Sequence, residues 1–163
     1  RADYFINLPK VKTNSFVMLS IAMKNMFGII ASKRKSQFHS KLADVLVYVN
    51  QAVRQHLIVA DGIVAMEGLG PIHGSRVDLG LIISGKNPVT VDAACCHIMG
   101  FNPYAVEALW KAHQQGMGEI DPQKIQFLGE DVSKVKNKFS CPTYSRANIV
   151  QTLKTTFKDY TKR

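Results

Sequence analysis

The chain has 163 residues, 46% of them hydrophobic, with 21 lysines and arginines against 12 aspartates and glutamates and a formal net charge of +9. That length supports one domain with a full core and argues against two. The positive excess suits anionic partners such as phosphates, nucleic acid or acidic membranes, but apart from Lys33-Arg34-Lys35 it is dispersed in the manner of a solvated face.

Three cysteines, Cys95, Cys96 and Cys141, form an odd, sparse set that suits a reducing compartment, so a cytoplasmic location is expected. Cys95 and Cys96 are adjacent in a helical segment, where neighbouring side chains diverge by about 100°, and they read as small core residues. With no Cys-x-x-Cys pair, the chain does not hold an iron-sulfur cluster by itself. The most apolar stretch, residues 16–31, is interrupted by Lys24 and Asn25 and falls short of the roughly 20 apolar residues of a membrane span. The chain opens at Arg1 and runs at once into a strand-like segment, which reads as a piece of a longer polypeptide.

Residues 4–8 form a short apolar run closed by Pro9, expected to be a central strand that ends where a site begins. Residues 16–30 are apolar on nearly every face and read as a buried helix capped by Ser15. Residues 40–55 carry Leu42, Val45, Leu46, Val49 and Val53 at the spacing of an amphipathic helix. The continuous apolar run 57–60 reads as a parallel strand closed by Asp61-Gly62, followed by a long loop or hairpin to Arg76. Residues 79–84 read as a third strand. Asn87-Pro88 then starts a helix that Gly100 ends, and Asn102-Pro103 starts another that runs to about Gln115. Residues 125–128 read as a fourth strand, 130–144 as a lysine-rich connection, and 145–160 as a final helix with Ile149, Val150, Leu153, Phe157 and Tyr160 on one face. This order is α/β, with a largely parallel sheet and helices packed on it.

The carboxyl ends of strands are where such sheets bind ligands. Lys10 and Lys12 alternate along an extended segment and point the same way, as a phosphate or carboxylate clamp or as a solvated strand end. Lys24, inside an apolar helix, must find a partner, lose its proton or snorkel outward. Gly28, one turn on, suggests a close approach there. Asp61, at a strand end beside a glycine, and Glu67, before Gly68-Leu69-Gly70-Pro71, suit a base or metal ligand. His39 and His73, in loops, complete the metal candidates. Gly68 and Gly70 lack the third glycine of a dinucleotide fingerprint. Asp92, four residues before Cys96 on the helix that starts at Asn87-Pro88, reads either as facing the sheet edge or as a first-turn carboxylate favoured by its own helix dipole.

Phe5-Ile6-Asn7-Leu8-Pro9-Lys10-Val11-Lys12-Thr13, Lys24-Asn25-Met26-Phe27-Gly28, Asp61-Gly62-Ile63, Met66-Glu67-Gly68-Leu69-Gly70-Pro71, Asn87-Pro88-Val89 and Asp92-Ala93, in this order, resemble the domain-of-unknown-function family 362 over about residues 3–118. Asn14 stands where that pattern usually has histidine. The resemblance implies an α/β domain whose earlier half precedes Arg1, and ferredoxin-like iron-sulfur modules elsewhere in the same polypeptide. The reading is a ligand-binding or catalytic half-domain of an iron-sulfur-associated redox protein. In it Lys10, Lys12 and Lys24 hold a small anion, Asn14, Asn25, Gly68 and Gly70 border it, and Lys24, Asp61 and Glu67 do the chemistry. A basic nucleic-acid-binding module, or an assembly domain that docks another subunit, are the alternatives.

Overall fold

The computed structural model describes residues 3–142. Its six strands are β1 (Ile6–Asn7), β2 (Lys10–Asn14), β3 (Met18–Leu19), β4 (Leu57–Glu67), β5 (Ser75–Val77) and β6 (Leu81–Gly85). The helices are α1 (Ala22–Asn25), α2 (Leu42–Ala52), α3 (Pro88–Ile98), α4 (Glu107–Gln114) and α5 (Val132–Val135). β4 is the central strand. On one side it pairs in parallel with β1 and β2, and on the other it pairs antiparallel with β5 and β6, while β3 folds back antiparallel along β2. The crossover from β2 to β4 runs through α1 and α2, so the expected α/β architecture is present as a mixed sheet with helices packed on it.

One sheet face carries Val11, Thr13, Ile58 and Ala60, all buried, and the apolar members join Leu46, Val47, Val89, Cys96 and Leu109 from the helices in a single core. The alternation of the strands then puts Ile6, Leu8, Leu57, Val59, Ile63 and Ile82 on the opposite face. Leu8 is 69% and Ile63 55% exposed there, and the Lys10–Asp61 ion pair (2.7 Å) lies among them. The cross-strand registers Ile6 with Leu57 and Asp61 with Ile82 confirm that these side chains share one surface. Parallel strands ordinarily have both faces covered, and among the described residues this second face is open.

Several sequence expectations change. The apolar run 16–30 is a hairpin followed by short turns, because the buried Asn14 side chain accepts hydrogen bonds from Phe16 N–H (3.0 Å) and Val17 N–H (3.3 Å) and reverses the chain. Met18 takes a positive φ of 63°, which no helix accommodates. What remains helical is α1 and a 3-10 turn, Met26–Ile29. Ser15 therefore caps nothing. Its N–H and hydroxyl both donate to the Gly70 carbonyl (3.0 and 2.8 Å).

β1 ends just before Pro9, as expected, and the extended chain resumes beyond it as β2, whereas β4 runs past Asp61-Gly62 to Glu67, so that pair closes no strand. Gly62 is there for packing, since a Cβ would meet the Leu81 carbonyl oxygen at 3.0 Å. Residues 125–128 form no strand. The starts at Asn87-Pro88 and Asn102-Pro103 are as expected, with each asparagine side chain accepting a backbone N–H three or two residues on, although the second opens a 3-10 turn, Pro103–Ala105, before α4. The expected helix at 145–160 lies outside the described residues. Among the described residues no helix is long and apolar enough to cross a membrane.

Candidate functional site

The carboxyl end of β2 brings together cationic side chains that make no ion pair among the described residues. Lys12 projects from β2, and its carbonyl accepts the Ser20 N–H (2.9 Å), which brings the start of the α1 segment alongside. Lys24, on α1, is partly buried and makes no ion pair among the described residues. Burial and then the nearby Lys12 hold its ammonium below the usual lysine range. Burial and then Lys24 likewise lower His39, whose ring stacks on Phe16 at 4.7 Å between centroids. The Lys24 Nζ sits 5.7 Å from the centre of the Phe27 ring, and Lys35 Nζ lies 5.9 Å from the same ring while donating to the Gly28 carbonyl at 2.7 Å. Three cationic side chains and a histidine therefore share one locality, offset by aromatic faces and the Gly28 carbonyl and by no carboxylate in an ion pair among the described residues.

The glycine loop forms one wall. Thr13 Oγ1 donates to the Gly68 carbonyl at 2.9 Å, and a Cβ on Gly70 would fall on the Thr13 carbonyl, so the loop lies directly against the end of β2. Gly68 adopts a φ of 71°, a conformation that favours glycine. Gly28 has open space where a Cβ would stand, so crowding does not account for it.

α1 is only four residues long, and buried polar side chains from three other elements hold it. Asp92 Oδ1 and Oδ2 on α3 accept the Ala22 and Met23 N–H groups at 2.7 and 3.0 Å. Asn7 Nδ2 donates to the Ala22 carbonyl at 3.0 Å and Asn50 Nδ2 to the Met23 carbonyl at 2.9 Å. Asn25 donates to Asn7, and Gln55 both accepts from Asn7 and donates to Asn50. This clamp fixes the turn that carries Lys24. A fully satisfied buried network of this kind rigidifies its surroundings. Asn7, Asn50 and Gln55 gave no sequence signal beyond being polar residues within apolar segments. Asp92, read as a dipole partner of its own helix, serves a different helix 70 residues away.

The other candidates have partners of their own. Lys10 is engaged by Asp61, which Lys10 and the Ile63 N–H hold below the usual carboxylate range, on the open face of the sheet. Glu67 accepts the Ser140 N–H at 2.7 Å, and the Gly68 N–H donates to the Ser140 carbonyl at 3.0 Å. Six residues of one strand separate Asp61 from Glu67, roughly 20 Å if straight, and their partners differ. His73 is exposed in the loop beyond Glu67. Among the described residues no group of three His, Cys, Asp or Glu side chains assembles for a metal. Asn14 and Asn25 turn their side chains to backbone and to Asn7, as described above. A more spacious groove of about 590 Å³ lies between β6, α3 and residues 125–135, lined by Ile83, Val91, Ala94, Ile98 and Phe127, and it lacks the concentrated charge found at Lys24.

Cys95 and Cys96 are buried in α3 and Cys141 is exposed. Burial and then Asp92 push the Cys96 thiol up to about 12, with Cys95 raised as well.

Against solved structures there is no significant match. Among curated proteins, the chain is 25% identical to a thylakoid-associated protein of Synechocystis sp. over 169 aligned positions. The alignment covers 98% of this chain and 53% of that protein, so the chain spans about half the length of the relative. The family described as Domain of unknown function (DUF362) matches residues 1–97, more than half of the chain, and the protein belongs to that family.

Proposed function

We propose that this chain is a ligand-binding domain that captures a small phosphate- or carboxylate-bearing anion between Lys12 and Lys24, within an iron-sulfur-associated redox polypeptide. The observation that carries the anion reading is the partly buried Lys24 ammonium, without an acidic partner among the described residues and depressed by a second lysine. Two like charges in a partly desolvated place cost free energy, and an anion between them removes that cost. Lys35 and His39 extend the same field, and Gly68 and Gly70 keep the adjoining loop close to β2. Lys24 is also the one group here suited to proton work, since its ammonium is already easier to deprotonate than usual.

The redox setting is supported by the family resemblance alone, and any cluster would be bound by other parts of the polypeptide or by a ferredoxin-like partner. The reading keeps the chain in a reducing, cytoplasmic compartment, where an association like that in the relative's name would be peripheral. Titration calorimetry with inorganic phosphate and with sulfate tests the anion site. Saturable binding that Lys24→Met removes is the expected result, and unchanged affinity in a normally folded Lys24→Met protein overturns it.

A further inference from the structure

α1 supplies no side-chain cap of its own, and its two leading N–H groups are taken by the two oxygens of a single carboxylate, Asp92, which is 3% exposed. Lys24 is the next residue in the chain. Resting on the anion site proposed above, we infer that Asp92 is a positioning residue for that site, and that taking up a proton on its carboxyl weakens anion binding by loosening α1.

An ionised carboxylate presents acceptors on both oxygens, whereas the acid turns one of them into a donor. Protonation makes that oxygen a donor and a much weaker acceptor, so the bond from either the Ala22 or the Met23 N–H is weakened in a buried place, which favours movement of a four-residue turn. Burial, opposed only by these two N–H groups, pushes the Asp92 carboxyl up to about 7, so both states are populated near neutrality.

The surroundings make the backbone the carrier of this effect. A cavity of about 10 Å³ beside Asp92 is lined by Lys24 from α1, Leu19 from β3, Leu46 from α2 and Leu109 from α4. Lys24 is the only charged side chain among its lining residues besides Asp92. On its own helix Asp92 has Cys95 and Cys96, both held as neutral thiols. What shifts Lys24 is burial and Lys12.

Sulfate, which stays a dianion between pH 6 and 8, is the probe. Its affinity is measured across that range in a His39→Gln background, which removes the opposing gain from a protonated imidazole, and again with Asp92→Asn added. The expected result is a fall of about fivefold between pH 8 and pH 6, approaching about tenfold at lower pH, the scale of one buried hydrogen bond, that is absent with Asp92→Asn. A flat profile, or one that rises towards acid, overturns the inference. A second measurement needs no Asp92 variant: the Asp92 carboxyl resonance is titrated with and without saturating sulfate. By reciprocity the midpoint should drop by about one unit when sulfate is bound. A midpoint that rises, as plain repulsion between anion and carboxylate would require, or that stays fixed, overturns it. Absence of sulfate binding at every pH, or binding that survives Lys24→Met, removes the anion site itself and this inference with it.

Discussion

Burial and then the charge of Lys12 lower the pKa of Lys24, and no carboxylate pairs with either lysine among the described residues. Two ammonium groups are thus held close by a fold that gains nothing from their proximity. Lys24→Met should consequently leave the melting temperature unchanged or raised at pH 7, while anion affinity falls by about 10- to 100-fold, the worth of a charge-assisted hydrogen bond. The sign with pH follows from the depressed lysine. Between its folded and unfolded pKa values the unfolded chain binds more protons, so the wild type gains stability as pH rises through that window. The advantage of Lys24→Met should shrink over the same range, and urea melts of both proteins at pH 7 and pH 10 measure it.

Asp92 gives the opposite slope. Its folded carboxyl titrates near 7 and its unfolded one near the ordinary value of 3.8, so between them the native state binds more protons and this group's contribution to stability falls as pH rises. Asp92→Asn lacks that slope. Relative to wild type, the variant should be least stable near pH 4 and should recover towards pH 7.5, which paired denaturant melts at the two pH values will show. A constant difference would mean that Asp92 titrates normally.

Gly70→Ala should destabilise the protein by about 1–3 kcal/mol, the scale of overpacking, because the new methyl group falls on the Thr13 carbonyl and pushes away the loop that Ser15 binds twice. Gly28→Ala meets open space and should be neutral or mildly stabilising by comparison. Chemical denaturation of the pair separates a contact effect from a general intolerance of glycine replacement.

Asp61→Asn releases Lys10 on the open face and should change sulfate affinity by no more than about twofold, as expected for an exposed ion pair. Calorimetry on the variant checks it. A tenfold loss would place Lys10 and Asp61 in the site after all.

What the sequence made legible was local. Asn87 and Pro88 start α3 because cap chemistry is written in neighbouring residues, and Lys24 stood out because a charge within an apolar run requires an explanation wherever the chain goes. The apolar run around Lys24 misled for a reason equally physical. Its periodicity fits a helix, but Asn14 offers the backbone a competing hydrogen-bond partner, and the hairpin that results positions Lys12 beside α1. β4 was cut short at Asp61-Gly62 because a glycine reads as a turn, although here it is small to fit against β6. Asp92 was visible as a residue and invisible as a cap, since nothing in a linear pattern links position 92 to positions 22 and 23.

The sheet face left open among the described residues bears on how the chain behaves in concentrated solution. Its apolar residues favour association of two copies face to face, and the charge of +9 opposes it through long-range repulsion. Added salt shortens that repulsion to about 10 Å at 0.1 M and leaves the apolar attraction intact. Sedimentation velocity should therefore find the chain increasingly self-associated as salt is raised, with Ile82→Lys or Leu8→Lys restoring the monomer. Binding to nucleic acid would weaken along the same axis, so one salt series distinguishes a surface that seeks apolar cover from one that seeks phosphates.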